Sequence, residues 1–213
     1  MVAALRHLFF LLIVRPLMLI GLGVNLRHGE RLPTTGPAIV VANHNSHLDT
    51  LVLMSLFPQR MLRRLRPVAA ADYFLKRRDL AWFALNIIGI IPVVREIRAS
   101  HSDPLAGCHA ALADDAILIL FPEGQRGEPE KLGAFKTGIA HLARRHPAVP
   151  IVPVFLHGLG KVLPRGEVLP VPFFVDVFIG EAMNWSGDRA AFMAELDRRM
   201  QGLATEGKFP PWD

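Results

Sequence analysis

Ala38-Ile39-Val40-Val41-Ala42-Asn43-His44-Asn45-Ser46-His47-Leu48-Asp49-Thr50 opens with five apolar residues and turns polar in one step. An apolar run without alternation, set after the Pro33 to Pro37 turn, reads as a strand buried on both faces. Leu48 to Leu56 then reads as a helix that ends before Pro58. Strand, polar turn and helix make the repeating unit of an α/β fold, which gathers its chemistry at the carboxyl ends of its strands. That end carries His44 here, with Asp49 five positions on. A carboxylate folded back onto one ring nitrogen fixes the tautomer and raises the basicity of the other nitrogen, as deprotonating a hydroxyl requires. Gly-x-Ser-x-Gly is absent, so the simplest chemistry is a base that activates a substrate hydroxyl without a covalent enzyme intermediate.

Outward from this stretch, strand-like and helix-like pieces alternate. A basic segment, Met61 to Arg66, leads into a strand at Pro67 to Ala71, and Asp72 reads as the N-cap of a helix over Tyr73 to Ile87. Ile90 to Val94 is a strand. Ser102 or Asp103 caps a helix that holds Pro104 in its first turn and reaches Ala113. Ala116 to Phe121, Pro150 to Leu156 and Phe173 to Ile179 are further strands, with helices at Thr137 to Arg145 and Asp188 to Thr205. The pattern predicts an α/β fold with a largely parallel central sheet flanked by helices. Residues 31–213 form the catalytic domain in this reading, and residues 1–30 a membrane-associated N-terminal helical segment.

The 213 residues are 51% hydrophobic, with a mean hydropathy of +0.31. The apolar excess concentrates between Leu8 and Val24, where only Arg15-Pro16 interrupts it. As a helix these residues rise roughly 26 Å, short of a hydrocarbon core of about 30 Å. Arg15 is costly in a true span and Pro16 kinks the helix. The segment is therefore expected to lie in one leaflet, with Arg6, His7, Arg15, Arg27 and His28 near head groups. A net charge of +5 fits an anionic partner such as a lipid head group or a phosphorylated substrate. No nucleic-acid partner is expected, because no recognition motif accompanies the charge. The single cysteine, Cys108, excludes an internal disulfide framework and reads as a small buried helix residue.

Four strand ends carry unusual residues: Asn43 to Asp49, Gly89 to Arg95, Phe121-Pro122-Glu123-Gly124-Gln125-Arg126-Gly127 with Lys136 after it, and Val149-Pro150-Ile151-Val152-Pro153-Val154. In this order and spacing they resemble the glycerolipid acyltransferase family, whose best-known bacterial type is lysophosphatidic acid acyltransferase. The resemblance spans Ala38 to His157. It implies a general base at His44, oriented by Asp49, and a direct transfer from an acyl-CoA or acyl carrier protein thioester to an acceptor hydroxyl. It assigns Glu123, Gly124 and Arg126 to the glycerol-phosphate end of the acceptor, and places Arg95 and Lys136 in the same pocket. Gly124 lets backbone approach an anion and Arg126 can grip phosphate with two bonds. The fourth block is expected to be core and acyl-chain lining. No cofactor is implied beyond the thioester co-substrate. The partners implied are a lysophospholipid acceptor, the acyl thioester donor, an anionic membrane surface and the carrier protein. Thioester supply points to the cytoplasmic face of the cell membrane.

The family more often reads Phe-Pro-Glu-Gly-Thr-Arg-Ser in the third block. Gln125 and Gly127 remove two hydroxyls here, which keeps other lysolipids, an ornithine-type lipid or glycerol-3-phosphate open as acceptors. Two readings of another class stand beside these: a metal-dependent hydrolase built on His44, His47 and Asp49, and a catalytically silent lipid-binding protein.

Overall fold

The computed structural model describes residues 1–46, 48–74, 76–94, 103–127, 131–162 and 173–209. Among these, seven strands form one sheet: β1 (Leu22–Arg27), β2 (Ala38–Ala42), β3 (Leu65–Ala70), β4 (Ile91–Val93), β5 (Ile117–Leu120), β6 (Ile151–His157) and β7 (Phe173–Ile179). Their order across the sheet is β1-β7-β6-β2-β5-β3-β4. Every neighbouring pair is parallel except β6 and β7. The largely parallel sheet expected from the apolar runs is therefore present, with an antiparallel step near one edge.

β2 shows why its residues are uniformly apolar. Val40 and Ala42 pack into the core on one face, with Leu53, Ile119 and Val154. Ile39 and Val41 pack into the other, with Leu118, Leu142 and Phe192. The first face is covered by the N-terminal helix and by α2 (Asp49–Ser55). The second is covered by α5 (Ala106–Ala113), α6 (Gly138–Arg145) and α8 (Arg189–Glu206). Asp188 caps α8 by accepting from the Ala191 N–H at 2.8 Å. Cys108 lies buried on α5, where burial pushes its thiol up to about 11.

The N-terminal segment departs from its expected form. α1 (Val2–Phe9) continues into two wide π-helical stretches, Phe10–Val14 and Leu17–Gly21, with Pro16 between them. The wide turns offset the 3.6-residue period, so buried positions recur at every fourth residue: Arg6, Phe10, Val14, Met18 and Leu22. Burying the last four contributes about 1.5–3 kcal/mol each. The helix also ends earlier than the apolar run does. Leu22 to Arg27 form β1, parallel to β7 in the same sheet, so the expected boundary at residue 30 falls after a strand of that sheet. Arg6 does not sit at a lipid surface. Its Nη2 donates to the Leu65 and Ile88 carbonyls at 3.0 and 2.9 Å, and burial beside Arg66 lowers it to about 10. Among the described residues no helix is long and apolar enough to cross a membrane. The helix expected over Tyr73 to Ile87 is broken into α3 (Ala71–Phe74), α4 (Arg78–Phe83) and a π-helical turn, Ala84–Ile88. Arg77, extended at φ −121°, pairs with Asp79 at the start of α4.

Candidate active site

β2 leads across β5 to β3, and β5 leads back across β2 to β6. The crevice between the carboxyl ends of β2 and β5 is thus a topological switch point, where open α/β sheets bind ligands. His44 follows β2 into this crevice and Phe121 follows β5. Their rings stack at 4.2 Å between centroids, 22° apart. The apolar platform limits the imidazole's freedom before any ligand binds.

Asp49, the first residue of α2, turns its carboxylate back onto the base. Asp49 Oδ2 accepts from His44 Nδ1 at 2.8 Å, from the Asn45 N–H at 2.6 Å and from the Ser46 N–H at 2.9 Å. Three donors on one oxygen, at the amino end of a helix, fix a carboxylate that is 0% exposed. Burial pushes the Asp49 carboxyl above its ordinary value, and the bonds from His44, Ser46 and Asn45 oppose that shift. His44 itself is 20% exposed at its side chain. With Nδ1 donating to the carboxylate, Nε2 presents its lone pair and has no partner among the described residues. The five-residue spacing expected to pair these two groups does so.

The third block wraps the same histidine from the β5 side. Glu123 Oε1 accepts from the His44 main-chain N–H at 3.2 Å, and the Gly127 N–H donates to the His44 carbonyl at 3.1 Å. Glu123 is buried, and burial raises its carboxyl above the ordinary value. Gly124 adopts φ +72°, a conformation few residues other than glycine take. A Cβ there would lie 2.9 Å from Cδ, Cε and Nζ of Lys136, so the lysine stem runs across the glycine. Arg126 is half-buried and Lys136 exposed, and neither side chain has a hydrogen bond or ion pair among the described residues. Arg95, the remaining expected phosphate contact, and His47, expected in the metal alternative, lie outside the described residues. Val149, Ile151, Val152 and Val154 of the fourth block are buried in or next to β6.

Several contributors are invisible in the motif pattern. Asn43 ties the end of β2 to β6 through both of its side-chain atoms, to Leu156 O at 2.9 Å and from Leu156 N at 2.7 Å. Asn45 reaches the same carbonyl at 3.0 Å. Repeated asparagine around a histidine was the available signal. Phe121 opens the third block, but nothing in the pattern gave its stacking on His44, and Gly133, which approaches Glu123 closely, left no signal at all. His157 ends β6 stacked on Phe209 at 3.6 Å between ring centroids.

A histidine oriented by a buried carboxylate thus stands at the switch point of a largely parallel sheet, with Arg126 and Lys136, which have no polar partner among the described residues, on or after the loop that holds its main chain. The chain belongs to the acyltransferase family, whose pattern it matches over residues 23–157. It is 32% identical over 145 residues to a chloroplast 1-acyl-sn-glycerol-3-phosphate acyltransferase of Arabidopsis thaliana, covering 68% of this chain and 38% of that one. It is 31% identical over 152 residues to the mouse (Mus musculus) 1-acyl-sn-glycerol-3-phosphate acyltransferase alpha, covering 68% and 49%. The chain thus spans less than half the length of either relative. Its fold matches the crystal structure of the 1-acyl-sn-glycerophosphate acyltransferase from Thermotoga maritima, with a TM-score of 0.71 over 94% of this chain and 78% of that one. At 21% identity that likeness is one of fold.

Proposed function

We propose that the protein is an O-acyltransferase that moves a fatty acyl group from acyl-CoA or acyl carrier protein to the free hydroxyl of 1-acyl-glycerol-3-phosphate, giving phosphatidic acid. The observation that carries this reading is the His44–Asp49 pair at 2.8 Å, with no partner on Nε2 among the described residues. His44 Nε2 takes the proton of the acceptor hydroxyl as the oxygen attacks the thioester carbonyl. The resulting imidazolium, held by Asp49, returns that proton to the departing thiolate. One C–O bond forms, one C–S bond breaks, and the base ends as it began. In this reading Arg126 and Lys136 hold the acceptor phosphate, and fixing both substrates in line supplies much of the rate. The similarity to two 1-acyl-sn-glycerol-3-phosphate acyltransferases supports this acceptor. Gln125 and Gly127 favour testing other lysolipids beside it.

The test is acyl transfer by purified protein from labelled acyl-CoA and acyl carrier protein to a panel of lysolipids and glycerol-3-phosphate. A diacyl product made by wild type and not by His44→Ala is expected. No product with any pair would overturn the assignment and leave the lipid-binding reading.

The same reading places the protein on the cytoplasmic leaflet, with the exposed Leu8, Leu12 and Ile13 against lipid. Deleting residues 1–24 is a poor test, because Phe10, Val14, Met18 and Leu22 belong to the core. Replacing Leu8, Leu12 and Ile13 together with serine leaves that core intact. Loss of sedimentation with anionic vesicles is expected; unchanged sedimentation would move the membrane contact to another face.

A further inference from the structure

We propose that Glu123 is a positioning residue for the base, pinning the His44 main chain and adding a second negative charge beside its imidazole, rather than a contact for the acceptor. This rests on the acyl-transfer reading of the site, within which the family resemblance gave Glu123 to the substrate.

Three observations carry it. Both main-chain polar atoms of His44 are held by one loop: its N–H by Glu123 Oε1 at 3.2 Å, and its carbonyl by the Gly127 N–H at 3.1 Å. Among the described residues the other oxygen, Oε2, is buried without a hydrogen-bond partner. A Cβ at either Gly127 or Gly133 would lie 2.9 Å from Oε2, so the carboxylate fills a cradle whose walls two glycines keep thin. Buried in this way among the described residues, that oxygen offers an acceptor no open approach. Charge argues the same way. Glu123 repels a phosphate, whereas Arg126 and Lys136, on or against the same loop, attract one. Among the described residues the charged groups around the imidazole are then Asp49 from α2 and Glu123 from the loop after β5, both interacting with His44, and the charge of Asp49 raises the cost of ionising Glu123. When the base takes up a proton, both carboxylates stabilise the imidazolium.

The experiment compares Glu123→Gln, Glu123→Ala and Gly133→Ala with wild type in steady-state transfer to 1-acyl-glycerol-3-phosphate across pH. Glutamine keeps the acceptor for the His44 N–H and removes the charge, so kcat is expected to fall about 10-fold, with the acid limb of kcat/KM moved to lower pH. Alanine removes both and is expected to cost about 10²-fold, the scale of a misplaced base. Gly133→Ala presses on Oε2 without touching the acceptor, and keeps the question open to test if the Glu123 variants do not fold. Acceptor KM stays within about twofold in all three. A rise in acceptor KM of about 10-fold at unchanged kcat in Glu123→Gln, or an unmoved acid limb, would overturn the proposal. Hydrogen exchange of the His44 amide separates this from failure of the function. It is expected to be at least about 10-fold faster in Glu123→Ala than in wild type even if no acceptor turns over. Unchanged exchange overturns the pinning on its own.

Discussion

The base and the cations beside it are built in opposite ways. His44 is stacked on Phe121, held at Nδ1 by Asp49 and at its main chain by Glu123 and Gly127. Asp49 and Glu123 are buried. Arg126 and Lys136 lie on or after the same loop with no polar partner among the described residues, the one half-buried and the other exposed. Folding alone fixes the first set, so removing any member disturbs chemistry whichever substrate is bound. In the proposed reaction the second set is left for a ligand to order, so removing a member is expected to weaken the hold on an anionic substrate and little else.

The sharpest break of this contrast is His44→Ala. Turnover is expected to fall about 10³-fold, within the range that general bases contribute, while the thermal midpoint moves little because the side chain lies outside the apolar core. Near-normal turnover would remove the base from the mechanism. Asp49→Asn comes next, with kcat reduced by about 10²-fold. The amide oxygen still accepts from Nδ1 and preserves the tautomer, but the charge that stabilises the imidazolium is gone. If acceptor KM rose instead of kcat falling, Asp49 would belong with the ligand-ordered set.

Arg126→Ala sharpens the contrast from the other side. A charge-assisted bond contributes about 1.5–3 kcal/mol, so acceptor KM is expected to rise about 10-fold or more at nearly unchanged kcat. Lys136→Ala should follow the same pattern more weakly, because its ammonium is exposed and screened by salt. Raising ionic strength should mimic both changes with a phosphate-bearing acceptor. An acceptor without phosphate should be indifferent to Arg126→Ala, and an equal loss with both acceptors would place the phosphate site elsewhere.

How much of this was legible follows the same division. The run from Ala38 to Asp49 displayed a buried strand, because an unbroken apolar stretch carries that signal whatever its distant partners are, and it displayed the base with its partner, because the His44–Asp49 contact closes over five residues. β1 was not legible. Leu22 to Arg27 continue an apolar run and become a strand only by pairing with Phe173 to Phe178, some 150 residues away. Arg6 was misplaced for a related reason. Beside an apolar helix an arginine reads as a head-group contact, yet carbonyls from β3 and from the end of the Ala84–Ile88 turn receive it. For Glu123 the motif gave the residue but not its direction, since Gly127 and Gly133 make its cradle only after the loop has closed on β2.

The smallest expected effect concerns what the buried side costs the fold. Burial raises the Glu123 carboxyl above the ordinary glutamate value of 4.5. The folded chain therefore binds this proton more tightly than the unfolded chain does. Stability falls as pH rises through the window between 4.5 and the raised value, and above that window the full cost of the buried charge is present. Glu123→Gln removes that titration. Its thermal midpoint relative to wild type is expected to climb as pH is raised from 4.5 and then level off, by about 2–4 °C for each kcal/mol relieved in a domain of this size. A variant less stable than wild type at every pH would mean that the cradle needs the carboxylate for packing. A variant that gains stability as it loses kcat would show a charge kept for the reaction at the expense of the fold, a trade that the half-buried Arg126 and the exposed Lys136 face less.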